Sequence, residues 1–475
     1  MAALMKKWTK TYMYTGCLLK HSLLYFRSDK MVRNSSTSPM NMLDLTKRGL
    51  FESVFPDQRI PDLPRLLSSP QSIYCGFDPT ADSLHIGNLL SLIALIHGQR
   101  AGHNPIAVIG GATVVIGDPS GKTKDREPIQ AEVIENNVIA LMENVNRIVH
   151  NHEQYICRDK KPLPKFRILN NKEWYSDQNV ITFLATVGRQ FRVGEMIAKH
   201  SVKSRLNSKQ GISCTEFMYQ VFQAYDWLHL YRNYNCSIQI GGGDQMGNIS
   251  SGFDLIDKVT KKQVFGLLVP LLLTSGGEKL GKSSGNSLWL DPTKTSPYEL
   301  YQYFFNIADS DVERYLKLFT FLPLSEIEAI MEKQNRSPEQ RHAQRKLGEQ
   351  VTLLVHGEDG IDSALKCTEV LFGDAVPAIA SMKLTDLQQL FKNASTSELI
   401  YDPEMTVFEL CVKIKCFKRE GDVERTIKEG GVYINQQRFT EPYHILRERE
   451  HILPNNITLV RVGKKTYHVV HWLMR

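Results

Sequence analysis

The sequence predicts an α/β protein: a doubly wound parallel-sheet domain, then an all-α domain, then a small α+β module. Three observations carry this. Short apolar runs alternate with longer helical stretches over residues 73–294. Polar, glycine-bearing turns follow those runs directly, as they do where a parallel sheet presents its strand ends to a ligand. The alternation stops near residue 295, gives way to helical periodicity, and changes again after residue 400.

Residues 1–40 hold seven Lys or Arg against one acid, Asp29, and so carry six of the seven net positive charges. They are rich in Ser, Thr and Tyr, which predicts a mitochondrial transit peptide. Its apolar run CLLKHSLLYF is broken by Lys20 and His21 and is too short to span a bilayer. A soluble protein of the mitochondrial matrix, with no membrane partner, is expected. Residues 41–72 are irregular and Pro/Ser-rich. SIYCGF then reads as a strand, 84–101 as a helix, PIAVIGG as a buried strand, about 129–150 as a helix and FRILNN as a strand. Helices fill 178–232, CSIQIGGGDQ is a strand and turn, 246–260 a helix, and VFGLLVPLLLT the last strand. The domain at 295–400 is helical. NASTSELIYDPEM (393–405) reads as a linker, and 401–475 as helix, helix and hairpins.

Without the leader the charge is nearly balanced, so composition does not make the whole surface a nucleic-acid footprint. The eight cysteines form no C-x-x-C pair and sit mostly in apolar contexts, which predicts a reduced compartment with neither a zinc site nor a disulfide frame.

Several turns carry chemistry. GDPSGKT (117–123) ends like a phosphate-binding P-loop, but the glycine required at position 116 is Ile, and the spacing excludes that motif. HIGN opens the helix at 85–88. A helix start offers free N–H groups and a positive dipole end to a phosphate. Gly87 permits close approach, and His85 and Asn88 share a face and can donate hydrogen bonds. EKLGKSSGN (278–286) places Lys279 and Lys282 on a Gly/Ser-rich loop that can grip a polyphosphate. Alone, the first stretch reads better as an ordinary capped helix and the second as a solvated lysine turn.

SCTEFMYQVFQAYDW begins with a capping box, Ser213 to Glu216. Tyr219, Gln223 and Asp226 follow at i, i+4 and i+7, within about 60° of arc, as a polar stripe on an otherwise apolar helix. The stripe is either a core hydrogen-bond network or a ligand-binding face.

Together HIGN and KLGKS (279–283) resemble the HIGH-like and KMSKS-like marks of class I aminoacyl-tRNA synthetases. YCGFDPTADSLHIG, GGATVVIGDPSGKTKDR, QAYDW, QIGGGDQMGN and TSPYELYQYFF resemble the tyrosyl-tRNA synthetases of bacterial and mitochondrial type, a likeness covering about residues 70–475. The resemblance implies a Rossmann-like catalytic domain (73–294), an α-helical anticodon-binding domain (295–400) and a small ribosomal-protein-like RNA-binding domain (401–475). It implies activation of L-tyrosine by ATP to tyrosyl-adenylate and pyrophosphate, then transfer to the 3′-terminal adenosine of mitochondrial tRNA-Tyr, by a homodimer. Mg2+ would accompany ATP, with no zinc or organic prosthetic group. The interface is sought in the helices around 178–200.

Site residues follow from the same resemblance. His85 and Asn88 contact phosphates, and Lys122, Arg126, Lys279, Lys282 and Ser283 hold the departing pyrophosphate. Tyr74 and Asp226 meet the phenol hydroxyl, Tyr219, Gln223 and Asp118 the ammonium, and Gln245 the carboxylate. Cys75, Gly76, Asp78, Gly242 and Asp244 lie along the ribose, Gly87 under the phosphates, and Leu272 at the adenine. Three positions depart from the family pattern: Asn88 for a second histidine, Gly243 for serine, Ser91 for threonine. Basic residues in RHAQRK (341–346), and Lys413, Lys415, Lys418, Arg419, Arg425 and Lys428, are candidate RNA contacts. Two rivals stay open: a tryptophan-specific enzyme on the same fold, opposed by the Tyr74/Asp226 pair, and an RNA-binding protein with a decayed site.

Overall fold

The computed structural model describes residues 42–122, 127–157, 162–272, 282–283, 286–372, 375–390, 394–417, 419, 421–463 and 466–473. The leader, Arg126, Lys279 and Lys418 lie outside the described residues, as do the side chains of Lys282 and Ser283. The chain forms two compact units, Thr37–Glu358 and, among the residues after it, Asp359–Arg475.

The first unit is built on a six-stranded sheet. In chain order its strands are β1 (Ser53–Phe55), β2 (Ser72–Phe77), β3 (Asn104–Ile109), β4 (Arg167–Asn170), β5 (Cys236–Gly242) and β6 (Phe265–Val269), with spatial order β1-β6-β5-β2-β3-β4. The five strands expected from the apolar runs are mutually parallel. The sheet is not wholly parallel, however. Ser53–Phe55, inside the segment read as irregular, joins the edge antiparallel to β6. Three residues are too few to show the alternation that marks a strand.

Helix α1 (Ile86–Arg100) lies in the core. Leu89, Leu92, Ile93, Leu95 and Ile96 are all inaccessible, so the helix is apolar around its circumference and has no solvent face. Each such side chain contributes about 2 kcal/mol by burial. The helix stops at Ala101 and at Gly102, whose φ of 88° suits glycine. Helix α2 (Ala131–Asn151) covers one side of the sheet. Helices α3 (Cys214–Tyr234) and α4 (Met246–Thr260) pack together with Tyr74, Trp227 and Ile249 on the other. The stretch expected as helices from 178 is fragmented into Val180–Thr186, Val193–Ala198 and His200–Leu206 before α3 begins.

After a short hairpin, β7 (Lys282–Ser283) with β8 (Asn286–Ser287), come α5 (Pro297–Phe305), α6 (Asp309–Phe319), α7 (Leu324–Arg336) and α8 (His342–Phe372). α8 is interrupted at Gly357, whose φ of 72° and ψ of −170° are not helical, just before the boundary of the unit. Short helices at Ala375–Ser381 and Leu384–Leu390 follow. The stretch read as a linker contains a strand, β9 (Ser395–Ile400), which pairs parallel with the last strand, Thr466–Leu473. Its partner lies some seventy residues away, a separation that local sequence cannot reveal. Helices α9 (Val407–Lys413) and α10 (Gly421–Lys428) precede β10 (Val432–Ile434), β11 (Gln437–Phe439), β12 (Ile457–Val462) and β13 (Thr466–Leu473). Asn435 and Gln436, with φ of 47° and 70°, make the tight turn between β10 and β11. No helix among the described residues is long and apolar enough to cross a membrane.

Candidate active site

A cleft of about 400 Å³ opens at the C-terminal ends of β2, β3 and β5. Tyr74, Cys75, Gly76, Asp78, His85, Gly87, Asn88, Asp118, Lys122, Tyr219, Gln223, Asp226, Gly242, Asp244, Gln245 and Leu272 all line it. Parallel pairing accounts for much of this convergence: β2 lies between β3 and β5, with Tyr74 level with Ile106 and Gln239, so the three turns leave one edge together.

The start of α1 is capped by its own motif. His85 takes an extended conformation, its Nδ1 accepts from the Gly87 N–H at 3.1 Å, and Asn88 Oδ1 accepts from the His85 N–H at 3.1 Å. Because Nδ1 accepts, the neutral imidazole carries its proton on Nε2, and Asn88 keeps its amide N–H groups as donors. Both side chains thus use their acceptors on the helix and direct donors elsewhere. A Cβ on Gly87 would lie 2.9 Å from His85 Cε1, so this glycine makes room for the histidine ring as well as for a ligand. The helix start is also tied to the segment that follows the lysine loop: Ile86 donates to Leu288 O at 3.0 Å and Leu290 to Leu84 O at 2.8 Å. β7 is paired to β8 by its backbone.

At the deep end, Asp226 is 5% exposed and accepts from Trp174 Nε1 at 2.8 Å and Asn171 Nδ2 at 3.2 Å. Burial pushes its carboxyl up to about 7 despite these bonds. The Tyr74 hydroxyl is buried beside it without a hydrogen-bond partner among the described residues, and burial and the Asp226 charge raise its phenol. The Gln223 Oε1 is likewise buried and unpartnered. Tyr219 donates to Asp78 Oδ2 at 2.9 Å, while Thr113 donates to Asp78 Oδ1 at 2.8 Å. These bonds join Asp78 to the α3 stripe. Asp118 accepts from Gln245 Nε2 at 2.8 Å and from Asn248 Nδ2 at 3.3 Å.

The capping box expected at the start of α3 is only half formed. Ser213 accepts from the Glu216 N–H, but the Glu216 carboxylate turns to Arg205 at 2.8 Å, in an ion pair with both side chains buried. A full charge outcompetes a backbone N–H for that carboxylate.

Along β2, burial raises the Cys75 thiol to about 12, so it is a neutral donor. Gly110 admits no side chain, because a Cβ would lie 2.0 Å from Asp78 Oδ1; at Gly242 it would lie 2.7 Å from Asp244 Oδ1. Asn171, Trp174, Thr113 and Asn248 were missed by the sequence. The only signal for Asn171 was its place at the end of FRILNN; a tryptophan four residues after a strand gives none. No group of three His, Cys, Asp or Glu among the described residues could hold a metal ion.

Comparison with known proteins gives consistent likenesses. The family described as tRNA synthetases class I (W and Y) matches residues 68–373, and the tyrosine–tRNA ligase SYY-like C-terminal domain matches 386–470. The chain is 48% identical to the mitochondrial tyrosine–tRNA ligase of Drosophila melanogaster, over 96% of this chain and 99% of that one. It is 46% identical to that of Homo sapiens, over 93% and 94% respectively. A C-terminally truncated mitochondrial tyrosyl-tRNA synthetase from Aspergillus nidulans superposes with a TM-score of 0.64 at 33% identity, over 70% of this chain and 95% of that one.

Proposed function

Because the chain belongs to the class I tRNA synthetases of the tryptophan and tyrosine family, and acts as a mitochondrial tyrosine–tRNA ligase, we propose how its cleft divides that work. ATP, tyrosine and tRNA are its substrates. The tyrosine carboxylate attacks the α-phosphorus, and pyrophosphate departs; the adenylate then passes its tyrosyl group to the 3′-terminal adenosine of tRNA-Tyr. No side-chain nucleophile is required, so the protein contributes orientation and charge stabilisation.

The phenol enters at Tyr74 and Asp226. This assignment rests on one observation above the others: a buried hydroxyl without a partner stands beside a buried carboxyl. A phenol hydroxyl gives Tyr74 a partner and Asp226 a further donor, whereas phenylalanine would leave the Tyr74 hydroxyl unpaired. Tyr219, Gln223 and Asp118 face the ammonium, while Asp78, on the ribose side, holds the Tyr219 hydroxyl. Gln245 serves the carboxylate. Asp244, Gly242, Cys75 and Gly76 flank the ribose, and Leu272 gives backbone to adenine. The His85 Nε2–H and the Asn88 amide meet the phosphates, with Gly87 beneath them. Lys122, Arg126, Lys279, Lys282 and Ser283 follow the pyrophosphate as it leaves. Mg2+ arrives as the metal of ATP, carried by phosphate oxygens.

Residues 1–40 act as the transit peptide and the matrix is the working compartment. The active species is a homodimer, for which the exposed apolar residues Val180 (64%), Ile181 (70%) and Val193 (61%) supply the contact. The helices of 295–400 read the anticodon, and α9, α10 and the turn between them present Lys413, Lys415, Arg419, Arg425 and Lys428 to RNA.

The test is ATP–pyrophosphate exchange by protein lacking residues 1–40, with tyrosine, phenylalanine or tryptophan. Exchange with tyrosine alone is expected. Exchange with tryptophan would overturn the Tyr74/Asp226 assignment, and none with any of the three would return the chain to the RNA-binding rival.

A further inference from the structure

The end of α9 brings two cysteines together. Ile414 caps the helix, Lys415 takes the left-handed conformation at φ 52°, and its N–H reaches Val412 O at 3.1 Å. The Cys416 N–H then reaches Cys411 O at 3.2 Å. This six-to-one bond with a left-handed residue inside it is a Schellman end, which sets the sixth side chain against the first. Apolar side chains commonly fill that contact; here both are thiols. Cys416 Sγ donates to the Cys411 carbonyl oxygen at 3.3 Å, which sets its sulfur beside the Cys411 thiol.

We propose that Cys411 and Cys416 are a modification site: a dithiol that a hydroperoxide converts to an intramolecular disulfide. The main-chain bond already holds the two Cα atoms close, and a disulfide requires a Cα separation of about 4.4–6.8 Å. Exposure fixes the order of events. Cys416 is half-buried and meets the oxidant, whereas Cys411 is wholly buried. Contact with the Cys416 sulfur, and then burial, hold the Cys411 thiol well above the usual range, so it does not react first.

The Cys416 sulfur attacks the peroxide, its O–O bond breaks, and a sulfenic acid forms with release of water or an alcohol. The Cys411 sulfur then attacks the Cys416 sulfur. The S–O bond breaks, and the departing hydroxide takes the Cys411 proton as a second water. Two thiols are oxidised by two electrons and one peroxide is reduced. The closed ring spans Lys413 and Lys415 and fixes the turn that carries them.

The test uses the reduced full-length protein. It is treated with hydrogen peroxide, blocked with N-ethylmaleimide and cut after glutamate, which releases Leu410–Glu420 with both cysteines. The expected peptide is lighter by two hydrogen atoms, carries no maleimide, and returns to the dithiol with dithiothreitol. Cys411→Ala is expected to stop at a Cys416 sulfenic acid that dimedone traps, and Cys416→Ala to leave Cys411 unoxidised. Maleimide on both cysteines after oxidation, a sulfinic acid at Cys416 in the wild type, or a bridge from either residue to another cysteine would overturn the proposal. The wild-type result decides the matter even where a variant does not fold.

Discussion

At Asp226 the proposed recognition of the phenol and the stability of the fold pull against each other. Burial raises the carboxyl from 3.8 to about 7, so the folded protein holds the proton more tightly than the unfolded chain. The sign follows: stability from this residue is full below pH 4, falls as pH rises, and is lost by pH 7, by on the order of 4 kcal/mol. Asp226→Asn removes the titration. Relative to wild type, the variant should gain urea stability between pH 5 and pH 8, and equal slopes would refute the shift. The same variant should lose about 10–100-fold in kcat/KM for tyrosine, since a hydrogen bond to a charged partner contributes about 1.5–3 kcal/mol. His85 separates two roles. His85→Ala gives up the cap, at about 1 kcal/mol of stability, and the Nε2–H. His85→Asn can still accept from the Gly87 N–H, so it should restore the melting temperature but not the exchange rate. Asn88 also shows what the sequence left open: its difference from histidine was legible, its cap on His85 was not.

Among the elements, α6 depends on a residue far away in the chain. Arg48 donates to the carbonyls of Lys317, Thr320 and Leu322, at 2.6–2.9 Å, where the helix ends and its carbonyls lack partners of their own. Burial, together with Arg100, lowers its guanidinium to about 10. Arg48→Ala should cost about 3 kcal/mol, roughly one for each neutral acceptor left buried, seen as a lower denaturant midpoint with tyrosine KM unchanged. The N-terminal stretch around Arg48 looked irregular because its structure lies in such contacts and in a three-residue strand. By contrast α1, α2 and α3 were legible to within a few residues, because their length and apolar periodicity are local properties.

For the whole molecule, the break at Gly357 and the unit boundary beside it set an expectation: protein ending at Glu358 should keep ATP–pyrophosphate exchange within a few-fold of the full chain while losing most tRNA charging. Parallel losses in both assays would contradict it. On the homodimer proposed above, Ile181→Glu should shift the molecular mass in sedimentation toward the monomer, because a charge in the proposed apolar contact is left unpaired; an unchanged mass would place the contact elsewhere. The sequence by itself determined the alternating α/β order, the strand-end turns and the residue types of the site, since helix and strand periods and turn chemistry act over a few neighbours. Only the tertiary structure decided that Ser53–Phe55 and Ser395–Ile400 are strands, that Glu216 serves Arg205, and that Asn171 and Trp174 support Asp226. Each of those choices rests on a partner from elsewhere in the chain, and hydrogen bonds and buried charges are settled by which groups the fold brings within reach.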